Sequence, residues 1–264
     1  MSLAFALTLV GLGFGGAVVA GMLGVGGAIV MIPLLLYVPP LAGVGALDMR
    51  HVAGITMVQV FVAALSGMIA HRRHRAVSLR LAWVGGTAMA VGTVSGAVAS
   101  SLLPDITLLA VFALMATAAA GLMVLPLETA GQPVFAEHVT FSAVRAAAVC
   151  LVVGIAAGLV GAGGAFLLVP LLLFVVGIPI RVTIGSSLAI TALAALAGVA
   201  GKVATEQVLL GPALAVALGA MPGAQLGGRL SRRLSGAQLK LVLQLVVVVS
   251  AARVWWDLIG RLLR

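Results

Sequence analysis

Residues 21–38, GMLGVGGAIVMIPLLLYV, carry glycines at 21, 24, 26 and 27 and then turn wholly apolar. Each glycine inside a helix costs roughly 1 kcal/mol relative to alanine, so four of them in a segment bound for a nonpolar phase need a reason. Access to the backbone is one. Glycine adopts conformations that other residues avoid and lets a ligand approach the main chain closely. A helix that starts just after the glycines, near Ala28, presents unpaired N–H groups and the positive end of its dipole. Together these make a site for an anion.

The same device stands a second time at residues 158–175, GLVGAGGAFLLVPLLLFV. Ten of the 18 positions are identical, all four glycines and the proline among them, so Pro170 answers Pro33. Gly161, Gly163 and Gly164, with a helix starting at Ala165, thus repeat Gly24, Gly26 and Gly27. A single glycine stretch would read as close packing between helices. Duplication, with the prolines at the same interval, favours a functional break in both helices.

The chain that holds these stretches has 264 residues, 63% of them hydrophobic and 8% charged, with a mean hydropathy of +1.30. Soluble domains carry about 25% charged residues. Several runs reach the ~20 apolar residues that a helix needs to cross a bilayer, without the alternation of a spanning strand. The expected fold class is therefore an all-α polytopic membrane protein. The first 20 residues have no Lys or Arg ahead of an apolar run that exceeds signal-peptide length, and they read as a first membrane element. Net charge is +9, but the cations sit in short loops, as cytoplasmic positive charge does. None is interleaved with aromatics as a base-stacking surface requires, so no nucleic-acid partner is expected. The sole cysteine, Cys150, lies in an apolar run and reads as a small buried residue, and neither a metal nor a cofactor is expected.

The apolar elements fall at 3–22 with 28–38, then 51–70, 79–100 and 106–125. A polar connector, 126–141, divides this first repeat, 1–125, from a second, 142–264. The second repeat has elements at 142–160 with 165–177, then 183–200, 208–228 and 239–257. An offset of 131 sets Arg50 on Arg181, Gly54 on Gly185, Thr56 on Ser187, and Gly92 and Gly96 on Gly223 and Gly227. The last two pairs are small-xxx-small spacings and predict close helix packing. The basic loops HRRHR (71–75) and RLSRRLSGAQLK (229–240) come one helix apart in the two halves. If both face the cytoplasm, the halves run in opposite directions, which makes the repeat inverted. That arrangement places ten of the 15 Lys and Arg inside, against nine for parallel halves.

The polar residues beside the glycine stretches are few. Thr56 and Ser187 are repeat-equivalent, and Ser186 is adjacent; hydroxyls in membrane helices often bond back to their own helix, and coordination of an anion is the alternative. Gln59 and Gln225 have no polar repeat mate and are either donors to a substrate oxygen or glue between helices. Arg50 and Arg181 begin helices, where they attract an anion to a mouth or anchor at the interface. Trp255 and Trp256 read as an interfacial belt. None of the six carboxylates lies in the middle of an apolar element, which suits an anionic substrate better than a cationic one.

The two glycine–proline stretches, with RVTIGSSLAIT (181–191) after the second, resemble the TauE/SafE family of sulfite exporters over nearly the whole chain. The resemblance implies export of sulfite or small organosulfonates across a bacterial cytoplasmic membrane. It implicates Gly24, Gly26, Gly27, Gly161, Gly163 and Gly164, with Ser186 and Ser187. The first half departs from the pattern, with Gly-Ile-Thr at 54–56 where the second has Gly-Ser-Ser at 185–187. The expected function is a secondary transporter working by alternating access, with the lipid bilayer and a small anion as partners and a homodimer left open. An anion channel built on the same helix ends is the alternative. An enzyme is not expected: Ser66 and His71 point in widely different directions on a continuous helix, about 140° apart, so they form no nucleophile–base pair.

Overall fold

The computed structural model describes residues 2–23, 27–71, 77–124, 141–231, 233–234 and 236–263. Its elements are helical throughout these residues. They are α1 (Leu3–Leu23), α2 (Ala28–Leu41), α3 (Met49–His71), α4 (Leu79–Ala99), α5 (Asp105–Val124), α6 (Ala143–Val160), α7 (Ala165–Leu171), α8 (Ile180–Ala204), α9 (Leu210–Ser231) and α10 (Gly236–Leu262). A 3-10 turn, Ser100–Leu102, extends α4, and a π-helical turn, Leu172–Val176, extends α7. Eight helices are long and apolar enough to cross a membrane; Ala28–Leu41 and Ala165–Val176 are shorter apolar helices. The protein is a multi-pass membrane protein, and both predicted breaks are present as ends of one helix and starts of another.

Lipid gives helices no hydrophobic reason to associate, so close backbone packing must do it. Two glycine seams supply it. Along one, α1 packs on α9: a Cβ at Gly13 or Gly21 would run into the carbonyls of Val216 and Ala224, and one at Gly219, Gly223 or Gly227 into those of Val10, Phe14 and Val18. Along the other, α4 packs on α6, with Gly92 and Gly96 against the carbonyls of Leu151 and Ile155, and Gly154 and Gly158 against those of Met89 and Thr93. The small-xxx-small spacings at 92/96 and 223/227 thus serve packing. Gly158→Ala is expected to destabilise the purified protein by about 1–3 kcal/mol, the usual cost of overpacking. Thermal unfolding in detergent checks this, and an unchanged transition would contradict the seam.

The centre of the bundle is made by α3 and α8, which pack on each other while α9 lies on α3 and α4 on α8. They are the most enclosed spans, 61% and 67% buried, against 28% for α1 and α10. Cys150 is buried and faces Gly85 of α4. One boundary differs from expectation. The element expected at 183–200 continues as α8 through Ala204, which takes Lys202 into the bundle with no exposed surface.

Candidate functional site

Both breaks are built by glycines in the left-handed region. Gly27 (φ +78°) precedes α2, and Gly161 (φ +71°), Gly163 (φ +59°) and Gly164 (φ +67°) carry the chain from α6 into α7. This conformation is strained for any residue with a Cβ, which explains the cost in helix propensity accepted there. Neither new helix has a side-chain cap. Ala28, Ile29, Ala165 and Phe166, whose N–H groups stand in the orphan first turn, have no exposed surface.

Residues 53–60 of α3 lie against both breaks. A Cβ on Gly161 would meet the backbone of Ala53, and the Thr56 hydroxyl, bonded to its own helix at Val52 O (2.8 Å), is also 3.0 Å from the Gly161 carbonyl. Gly163 faces Val60 of α3 and Thr191 of α8. Gly27 faces Ala20 and the amide of Gln59, whose Nε2 would lie 3.2 Å from a Cβ at that position. Thr56, Gln59 and Val60 are one to four residues apart on a single helix, so the two breaks are brought together across about one turn of α3.

Two polar side chains there are unusual. Gln59 and Thr191 have no exposed surface, and among the described residues neither the amide Nε2 and Oε1 of Gln59 nor Oγ1 of Thr191 has a hydrogen-bond partner. Buried polar groups are almost always paired, and an unpaired one costs about 1–3 kcal/mol. Two such side chains, Gln59 with its Nε2 beside Gly27 and Thr191 with its Cγ2 beside Gly163, put an N–H and an O–H donor on residues next to the two uncapped helix starts. An oxygen-bearing anion is the chemical complement of that set.

The other predicted residues fall as follows. Ser187 donates to Ile184 O (3.0 Å) on its own helix, and Ser186 Oγ accepts from the backbone N of Ser78, the N-cap of α4 (3.0 Å). Both are buried. Arg50 donates through Nη2 to Leu103 O (2.9 Å), tying the start of α3 to the turn after α4, and its Nε is buried without a partner. Arg181 lies in the first turn of α8, with its side chain outside the described residues, as are Gly24 and Gly26. Gln225 is exposed on α9 and is withdrawn from the site: glycines 219, 223 and 227 define the packed face of that helix, and position 225 lies about 200° round from its neighbours in that series. Trp255 bonds Thr117 of α5 (2.9 Å), while Trp256 is 78% exposed.

Sequence reasoning missed Thr191 and Lys202. Thr191 ends the RVTIGSSLAIT stretch, but its repeat mate is Val60, so a search for matched polar pairs passes over it. Lys202 is hidden by its polar neighbours in GKVATEQ.

A family model described as "Sulfite exporter TauE/SafE" matches residues 9–254. Two proteins of Xylella fastidiosa, from strains Temecula1 and 9a5c, each named "Probable membrane transporter protein", are 34% identical over 182 residues, covering 68% of this chain and 68% of each relative. No solved structure matches the chain.

Proposed function

This chain belongs to the sulfite exporter TauE/SafE family, and on that premise we propose that it carries small sulfur oxyanions, sulfite or an organosulfonate, out of the cell by alternating access. The membrane-transport part follows from the family and from the transporter relatives. The substrate and its site are our reading. One observation carries it: Gln59 and Thr191, fully buried and without hydrogen-bond partners among the described residues, flank the left-handed glycines of the two breaks. In this reading the oxyanion is held by backbone N–H groups at Gly27–Ile29 and Gly163–Phe166, by the Gln59 amide and by the Thr191 hydroxyl. Arg50 draws the anion toward the site.

The repeat and its inversion belong to the same proposal. Under the repeat, α1 answers α6 and α4 answers α9. The pairing of α1 with α9 and of α6 with α4 is then one contact made twice, as a two-fold relation between the halves demands. It also defines what moves. The sequence halves are interlocked by the two glycine seams, so they cannot rock as separate bodies. The moving units are mixed: α1, α2, α3 and α9 against α4, α6, α7 and α8, meeting where α3 crosses α8. Gly161 and Gly163 contact α3 across that plane, so sliding there opens and closes the anion site from either side.

The test is efflux of radiolabelled sulfite from proteoliposomes, with and without a pH gradient, against sulfate, sulfoacetate and chloride as competitors. Saturable efflux, inhibited by sulfoacetate more than by chloride, is expected. Unsaturable current far above transporter turnover would convert the reading to a channel. No flux of any of these anions would remove the substrate assignment.

A further inference from the structure

Among the described residues Lys202 is a charged side chain without exposed surface, and it has no part in the site just described. Its Nζ donates to Ser100 Oγ (2.6 Å), Gln207 Oε1 (2.8 Å) and Leu159 O (3.3 Å). These acceptors are all neutral. The ion pairs among the described residues, His51–Asp48 and Arg261–Asp257, are elsewhere, and Glu206 of the adjoining turn is exposed. An ammonium buried without a counter-ion is expensive unless something else supplies negative potential.

Helix ends supply it. Leu159 is in the last turn of α6, Ser100 follows directly on α4, and Lys202 is in the last turn of α8. The negative dipole ends of three helices therefore meet at one ammonium. The turn after α8 completes the cage. Glu206 adopts a left-handed conformation (φ +56°), unusual for a residue with a side chain, and the amides of Glu206 and Gln207 bond back to Val203 O and Lys202 O. This Schellman closure folds the Gln207 side chain over Lys202, where its Nε2 is held in turn by Ala97 O (3.1 Å) and Thr205 Oγ1 (2.6 Å). Oxygens from hydroxyl, amide and helix-end carbonyl are the ligands that broken-helix transporters offer to a free coupling cation.

We propose that Lys202 is a tethered cation: its ammonium takes the place a free coupling ion would occupy, and from Leu159 O it holds the second glycine break, two residues further on, in the anion-receiving conformation. Lys202 is thus a positioning residue for the anion site, and this role rests on the anion reading of that site. Transport then needs no added alkali cation, and the fixed charge offsets part of the charge of the bound anion.

Two measurements test this on the full-length protein. Hydrogen exchange at residues 158–168 needs no knowledge of the substrate. Lys202→Met, which keeps bulk without charge, should speed exchange there while leaving α1 and α9 unchanged. In Lys202→Ala, propylammonium should restore protection and propanol should not. Equal exchange in wild type and Lys202→Met, or rescue by propanol as well, would overturn the proposal. Sulfite flux is the second readout. Where the wild type transports, Lys202→Met should raise KM about tenfold, the size of a favourable partly buried charge–dipole interaction, with a smaller change in Vmax and no dependence of the wild type on Na+ or K+. An unchanged KM, or wild-type flux that requires either ion, would overturn it. A wild type that moves no sulfite strikes the substrate reading alone, because the exchange result still decides Lys202.

Discussion

Gln59→Leu is expected to raise the KM of transport roughly 10- to 100-fold while making the protein no less stable. The two effects have opposite signs for one reason. The Gln59 amide has no hydrogen-bond partner among the described residues and no exposed surface, so leucine of similar size removes an unsatisfied polar group and relieves up to about 1–3 kcal/mol of desolvation. A bound oxyanion loses a charge-assisted hydrogen bond, which contributes ~1.5–3 kcal/mol, so its affinity falls roughly 10- to 100-fold. Thermal unfolding and sulfite efflux, measured on the same preparations, check the pair. Thr191→Val should behave alike. A glutamine that served only as glue between helices would give the reverse result, with stability lost and flux kept.

The second large effect is at the glycines. Gly27→Val and Gly164→Val should each eliminate flux in protein that still inserts and purifies as a single species. At Gly27 the φ of +78° strains valine by about 1–3 kcal/mol, and its Cβ would lie 2.5 Å from the Cβ of Ala20 and 3.2 Å from the Gln59 amide. At Gly164 the Cβ would press on the Met89 methyl (2.7 Å) and on Val153 (2.8 Å). Met89 has a flexible side chain that can yield, but Val153 and Ala157 at Gly164 and Ala20 at Gly27 cannot, so the backbone shifts and its N–H groups are turned from the anion. Retained transport in both variants would reduce the breaks to packing.

The two breaks were legible because the chain writes them twice, and because a glycine cluster ahead of an apolar run has few physical explanations. The helices were legible to within a few residues for the same kind of reason: lipid demands long apolar runs, and little else can end them. What was not legible is which way a lone polar residue faces. Gln59 and Gln225 look alike in sequence, each a glutamine without a polar repeat mate. Only Gln59 is on an inward face, and the evidence for that face lies on other helices. The glycines at 219, 223 and 227 did carry a warning, since a residue out of phase with a packing seam points away from it. Lys202 was hidden because its burial is made by Ser100 and Leu159, which are about 100 and 40 residues away along the chain. Thr191 was hidden because a symmetric search discards asymmetric pairs, and the orphan hydroxyl is on one side only.

The most direct test is equilibrium binding of sulfite to the purified protein in detergent, by calorimetry, for wild type and Gln59→Leu side by side. The account predicts one saturable site per chain in the wild type, and in Gln59→Leu an affinity at least tenfold weaker with thermal stability unimpaired. Equal affinity in the two proteins would contradict it, because an anion held between the breaks cannot be indifferent to the one amide that faces Gly27 without a partner.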